Sequence, residues 1–132
     1  MMHILGILLA AAAGFVLGAL WYSPALFGHV WARESGTPET HNPDPKAQVR
    51  FFVILLVALA VAAAILGAII MSWGGPVRWL DGLKAGALGG LLAGTVVAMD
   101  ALFERKGPKL FLINAGYYLV SFCVMGVIVA LM

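Results

Sequence analysis

The chain has 132 residues, of which 63% are hydrophobic and 11% charged, with a formal net charge of +2 and a mean hydropathy of +1.02. Soluble domains run at about half apolar and about a quarter charged, and a fold of this size cannot hide so much apolar surface from water, so the bilayer is the solvent for much of it. No basic patch stands apart from the short polar loops, which excludes nucleic-acid binding, and the single Cys123 excludes an intramolecular disulfide.

From Met1 to Ala32 there is no Lys, Arg, Asp or Glu. A spanning helix needs about 20 mostly apolar residues, and residues 3–22 form the first predicted span, with His3 at its outer end. The segment lacks a basic n-region and runs on into aromatics, so it reads as a retained helix rather than a cleaved leader. Ser23-Pro24 then interrupts it. Ser is a good N-cap and Pro is favoured at the first helical position, so a short new helix is expected to begin at Pro24. Its apolar side is Leu26, Phe27, Val30 and Trp31, with His29 and Arg33 pointing elsewhere. That spacing suits a helix lying in the plane of the membrane interface, and Trp21, Tyr22 and Trp31 suit the headgroup belt.

The polar stretch "ESGTPETHNPDPKAQ" reads as a cytoplasmic loop over 33–48. Glu39, His41 and Asp44 lie in it without the fixed spacing a metal site needs, so no metal site is expected. Residues 51–73 form the second span, stopped by Gly74-Gly75-Pro76. Asp81 is expected to cap the third span, 82–103, because a negative charge there meets the positive end of the helix. In the turn "ERKGPK", Gly107 is expected as a left-handed C-cap with Pro108 just past it, and 110–131 form the fourth span. The runs are continuous rather than alternating, which argues against barrel strands. The expected fold is therefore an all-α integral membrane protein in a single domain, 1–132. Its four transmembrane helices form two antiparallel hairpins, with the interfacial helix after the first span.

Two ladders of small residues run along the spans: Gly6, Ala10, Gly14, Gly18 on the first and Gly82, Gly86, Gly90, Gly94, Ala98 on the third. Such ladders let helix backbones approach closely in lipid. Gly14, Gly18, Gly86, Gly90 and Gly94 are the expected packing residues. One ladder is assigned to the bundle and the other to a homo-oligomer.

Polar side chains inside the apolar runs carry the functional expectation. Asn114, Tyr117, Tyr118 and Ser121 follow i, i+3, i+4, i+7 spacing on one helix face. Polar groups in hydrocarbon are costly unless paired, so this face is expected to turn inward. Asp100 lies about one turn from the end of its span and Asn114 about one turn into the next, at similar depth. Tyr22 and Arg50 lie at the same level. These positions predict a cluster of Tyr22, Arg50, Asp100, Asn114, Tyr117 and Tyr118, with Asp100 accepting hydrogen bonds from its neighbours. It would serve as structural glue, with Asp100 paired to Arg50 or Lys106, as a ligand or ion site, or leave Asp100 snorkelling to water. Arg33, Lys46, Arg50, Arg105, Lys106 and Lys109 fall in or beside the first and third loops, against Arg78 and Lys84 near the middle one. That bias places the first and third loops in the cytoplasm and both termini outside.

The segments "WYSPALFGHVW" and "LFERKGPKLFLINAGYYLVSFCVMGVIVAL" resemble the small bacterial membrane-protein family catalogued as domain of unknown function 1761. The resemblance covers nearly the whole chain. It implies four spans in a bacterial inner membrane, with an aromatic elbow after the first span and an Asn-Ala-Gly-Tyr final helix. It singles out Trp21, Tyr22, Pro24, Phe27, Gly28, Asn114, Gly116 and Tyr117, and implies no activity. No GxSxG, HExxH, CxxC or P-loop pattern is present. No nucleophile accompanies Asp100, so neither catalysis nor a cofactor is expected. The reading is a non-enzymatic scaffold, accessory subunit or binding module whose partners are the lipid bilayer and a protein not identifiable from sequence. The rivals are an oligomeric small transporter or channel, and a membrane enzyme acting on a lipid or quinone.

Overall fold

The computed structural model describes residues 4–36 and 44–132; His3, Glu39 and His41, and the expectations attached to them, lie outside the described residues. Within them the chain is all-helical: α1 (Ile4–Trp21), α2 (Gly28–Ser35), α3 (Pro45–Ser72), α4 (Trp79–Phe103) and α5 (Pro108–Leu131). Four of these, α1, α3, α4 and α5, are long and apolar enough to cross a membrane. Large apolar side chains stay exposed along all four, among them Leu8, Val16, Ile54, Val61, Leu92 and Leu112. A surface of this kind is stable only against an apolar solvent.

The element boundaries differ from the expected ones in three places, each with a local cause. α2 begins at Gly28, not at Pro24. Ser23 does not cap it, because its hydroxyl donates back to the Leu20 carbonyl at 2.7 Å and closes the end of α1. The chain then turns tightly: Phe27 N–H reaches the Trp21 carbonyl at 3.1 Å and Gly28 N–H the Ser23 carbonyl at 2.9 Å. A Cβ on Gly28 would lie 2.5 Å from the Tyr22 carbonyl oxygen, so only glycine fits where the elbow closes on itself. The polar loop is also shorter than 33–48. Residues 33–35 belong to α2, and α3 starts at Pro45, where a proline in the first turn has no N–H to leave unpaired.

The third difference is at the α4–α5 turn. Gly107 has φ −76° and precedes α5, so it is not a left-handed cap. Arg105 takes that conformation instead, at φ 59°. Lys106 N–H donates to the Ala101 carbonyl at 2.9 Å and Arg105 N–H to the Leu102 carbonyl at 3.4 Å, which together make a Schellman end. At the opposite turn Asp81 sits inside the first turn of α4, and its carboxylate accepts the Arg78 N–H at 2.8 Å.

Glycine sets how closely the spans approach. α4 and α5 share the most extensive contact in the fold. Gly82 lies against Gly126, Gly86 against Phe122 and Cys123, Gly90 against Leu119, and Gly94 nearest Ala115. A Cβ on Gly90 would lie 2.7 Å from the Leu119 Cα, whereas one on Gly94 would find only the Ala115 Cβ at 3.7 Å. The contact is therefore backbone-tight toward Gly82 and relaxes toward Gly94. α1 also packs on α5: a Cβ on Gly6 would lie 2.8 Å from Met132, one on Gly14 2.9 Å from the Met125 sulfur, and one on Gly18 3.0 Å from the Tyr117 hydroxyl. Glycines of both ladders thus make close contacts with α5 within the chain. Ala10, Ala11, Leu59, Ala63, Leu66, Ile70, Ala85 and Met125 form the buried core between α1, α3, α4 and α5.

Candidate functional site: an aromatic cavity beneath the elbow

The elbow after α1 positions the first wall. Trp21 Nε1 donates to the Ile113 carbonyl at 2.9 Å, and the Tyr22 hydroxyl donates to Asn114 Oδ1 at 2.8 Å. Both bonds join the end of α1 to the beginning of α5, and both come from the paired aromatics of the "WYSP" stretch. Trp21 packs on Phe27 across the turn at 4.9 Å between ring centroids, so the elbow carries its own apolar support.

α5 supplies the second wall. Tyr117 is buried, and its hydroxyl donates to the Gly14 carbonyl of α1 at 2.9 Å. Gly18 leaves room for that ring to lie against the α1 backbone, which a larger residue there would crowd. Ser121 is fully buried one turn further and donates to the Tyr118 carbonyl at 3.3 Å. A run of ring contacts links the elements: Trp31 to Tyr22 at 5.9 Å, Tyr22 to Tyr117 at 5.6 Å, Tyr117 to Tyr118 at 5.6 Å, and Tyr118 to Phe122 at 6.2 Å. Tilted and edge-on pairs of this kind fix ring orientation beyond what apolar burial requires.

Where the α4–α5 contact relaxes, a cavity of about 790 Å³ opens between α1, α2, α3, α4 and α5. Such a volume falls in the usual small-molecule range of about 300–1,000 Å³. Phe15, Tyr22, Trp31, Phe52, Tyr117 and Tyr118 contribute rings to its wall, with Asn114 among them. α4 contributes Val97, Asp100 and Ala101, its C-cap adds Glu104 to complete i, i+3, i+4, i+7 spacing, and Lys106 comes from the turn.

Five of the six residues expected as a polar cluster line this cavity: Tyr22, Asp100, Asn114, Tyr117 and Tyr118. Arg50 does not; it is exposed in the second turn of α3, next to Phe51 and Phe52, which do. The hydrogen bonds also differ from expectation. Tyr22, Asn114 and Tyr117 bond one another or the backbone, and among the described residues none of them reaches Asp100. The Tyr22 and Tyr117 phenols already have acceptors in Asn114 and the Gly14 carbonyl, and on α3 it is Phe51 and Phe52 that line the cavity rather than Arg50. Glu104, Phe15 and Phe52 were not expected. The heptad-like spacing from Val97 to Glu104 was the available signal for Glu104; nothing in the sequence pairs Phe15 with Phe52, which meet edge-on at 5.4 Å across α1 and α3. Among the described residues there is no group of three side chains able to hold a metal ion.

The aromatic elbow and the Asn-Ala-Gly-Tyr helix meet through Trp21–Ile113 and Tyr22–Asn114. The pattern that defines a family of proteins of unknown function (DUF1761) matches residues 5–130 of the chain. The chain belongs to that family. No curated protein and no solved structure matches it. In this DUF1761 chain the matched region contains both halves of the elbow–α5 junction and every residue that lines the cavity.

Proposed function

We infer that this DUF1761 protein is a membrane-embedded, non-enzymatic binding module, and that the aromatic cavity holds a small amphiphile. On this reading α1 with α3, and α4 with α5, cross the bilayer as two antiparallel hairpins. The short helix α2 lies in the interface with its aromatic side toward the cavity. The cavity end, which carries Arg33, Lys46, Arg50, Arg105, Lys106 and Lys109, faces the cytoplasm of a bacterial inner membrane.

The observation that carries this reading is the composition of the cavity: about 790 Å³, walled mainly by rings, with a few converging polar groups at one end. That is the make-up of a small-molecule site. Binding rather than reaction is favoured by the side chains on the wall. They are phenols, an amide, two carboxylates and an ammonium, and no Ser, Thr, Cys or His stands among the described lining residues.

Native mass spectrometry of the protein extracted with its lipids tests the reading. The wild type should retain a small amphiphile through purification. Ala101→Phe, which fills the cavity from the α4 wall, should fold and lose it. Identical spectra for the two proteins overturn the proposal.

A further inference from the structure

We propose that the cavity selects an amphiphilic organic cation, with the positive head against Asp100 and Glu104 and the apolar body among the rings. This rests on the binding-module reading and adds the charge of the ligand to it.

The charge pattern of the wall is the first argument. Asp100 near the end of α4 and Glu104 at its C-cap follow i, i+4 spacing, and Lys106 is the one cation among the described lining residues. The wall therefore carries one more negative charge than positive. Of the two cations expected to pair with Asp100, Arg50 is off the wall and Lys106 is on it, and among the described residues no ion pair engages the Asp100 carboxylate. Both carboxylates are exposed at the rim of the cavity, where their unpaired charge attracts a cation and repels an anion.

The rings are the second, independent argument. Aromatic faces carry negative potential and attract an ammonium or related cation within about 6 Å of the centroid. Here eight rings from α1, the elbow, α2, α3 and α5, Trp31, Phe52 and Tyr118 among them, line the space that the two carboxylates overlook. The Tyr22 and Tyr117 hydroxyls are already committed to Asn114 and the Gly14 carbonyl, which leaves the ring faces as what those residues offer a ligand. An anionic amphiphile would meet two like charges. A neutral quinone would leave both carboxylates unpaired and find those two phenols engaged.

The chemistry is shared by two sources, an ammonium-bearing lipid headgroup and a free amphiphilic cation. The test uses the full chain in phosphatidylglycerol nanodiscs, titrated with tetraphenylphosphonium and with tetraphenylborate, which have the same shape and opposite charge; empty nanodiscs give the partitioning background. Saturable binding of the phosphonium above background is expected, with tetraphenylborate weaker. Asp100→Asn should weaken the phosphonium about tenfold, as loss of one near charge does, and Glu104→Gln should weaken it in the same direction. The second variant keeps the test informative if the first fails to fold. Equal or tighter binding of tetraphenylborate, no saturable binding of the phosphonium, or unchanged affinity in both variants overturns the cation assignment. Tetraphenylborate that binds saturably and is lost in Ala101→Phe would overturn it while leaving the binding-module reading standing. Including phosphatidylethanolamine then separates the sources: competition assigns the site to a lipid headgroup, and its absence assigns it to a free cation.

Discussion

Tyr22 illustrates how a residue placed at a helix end can serve two structures at once. Its hydroxyl ties the elbow to α5 through Asn114, and its ring lies edge-on between Trp31 and Tyr117. Tyr22→Phe keeps the ring and removes the bond. Hydrogen bonds between membrane helices average about 0.6 kcal/mol and reach about 1.7, so thermal unfolding in detergent should show a loss in that range. A larger loss would mean that the phenol supports more than Asn114. Arg105 presents the opposite case. It holds a left-handed conformation that suits glycine, at φ 59°, and such a conformation costs an L-residue roughly 1–2 kcal/mol. Arg105→Gly should therefore stabilise the α4–α5 turn, by less than that cost because glycine also loosens the unfolded chain. A drop in melting temperature for this variant would show that the guanidinium contributes more than the backbone strain removes.

At the scale of elements, the α4–α5 pair is built on a graded contact. Cβ atoms added at Gly82 and Gly86 would meet the α5 backbone itself, while one at Gly94 has ordinary room. Gly86→Ala should cost on the order of 1–3 kcal/mol by overpacking, and Gly94→Ala should be close to neutral. Gly90→Leu should behave like the first of these, because Leu119 Cα leaves no space for its side chain. Equal melting temperatures for Gly86→Ala and Gly94→Ala would contradict the gradient that opens the cavity. The elbow depends on one glycine in the same way. Gly28→Ala should push residue 28 away from the Tyr22 and Ser23 carbonyls and lower stability by a comparable amount, whereas Pro24→Ala, at an exposed turn position, should be much milder.

For the whole molecule, the arrangement of charge is the quantity to test. If the basic bias sets orientation, both termini are outside. Alkaline phosphatase fused after Met132 should then be active and a fluorescent protein that matures only in the cytoplasm should be dark. The reverse pattern would turn the cavity mouth toward the other side and remove the cytoplasmic placement from the functional proposal. It would leave the fold and the wall residues unchanged, since none of the contacts among the helices depends on which way the bundle faces.

Composition and run length alone determined that this chain is helical, that four segments are long enough to span a bilayer, and that Ser23-Pro24 separates the first span from the next helix. These are properties of local segments: an apolar run of sufficient length has nowhere to go but lipid, and its backbone must satisfy itself as a helix there. The spacing of Asn114, Tyr117, Tyr118 and Ser121 likewise gave one polar helix face, of which Tyr117 and Ser121 are buried, Asn114 is half-buried and Tyr118 is exposed. Tertiary structure decided every pairing between segments. Whether Ser23 caps the second helix or closes the first depends on where the chain turns, and Gly28 sets that through a close approach to Tyr22. Arg50 and Asp100 are matched in charge, yet Phe51 and Phe52, and not Arg50, line the wall that Asp100 shares. Glycines of both ladders make close contacts with α5, and close packing is a property of two surfaces that neither sequence segment carries by itself.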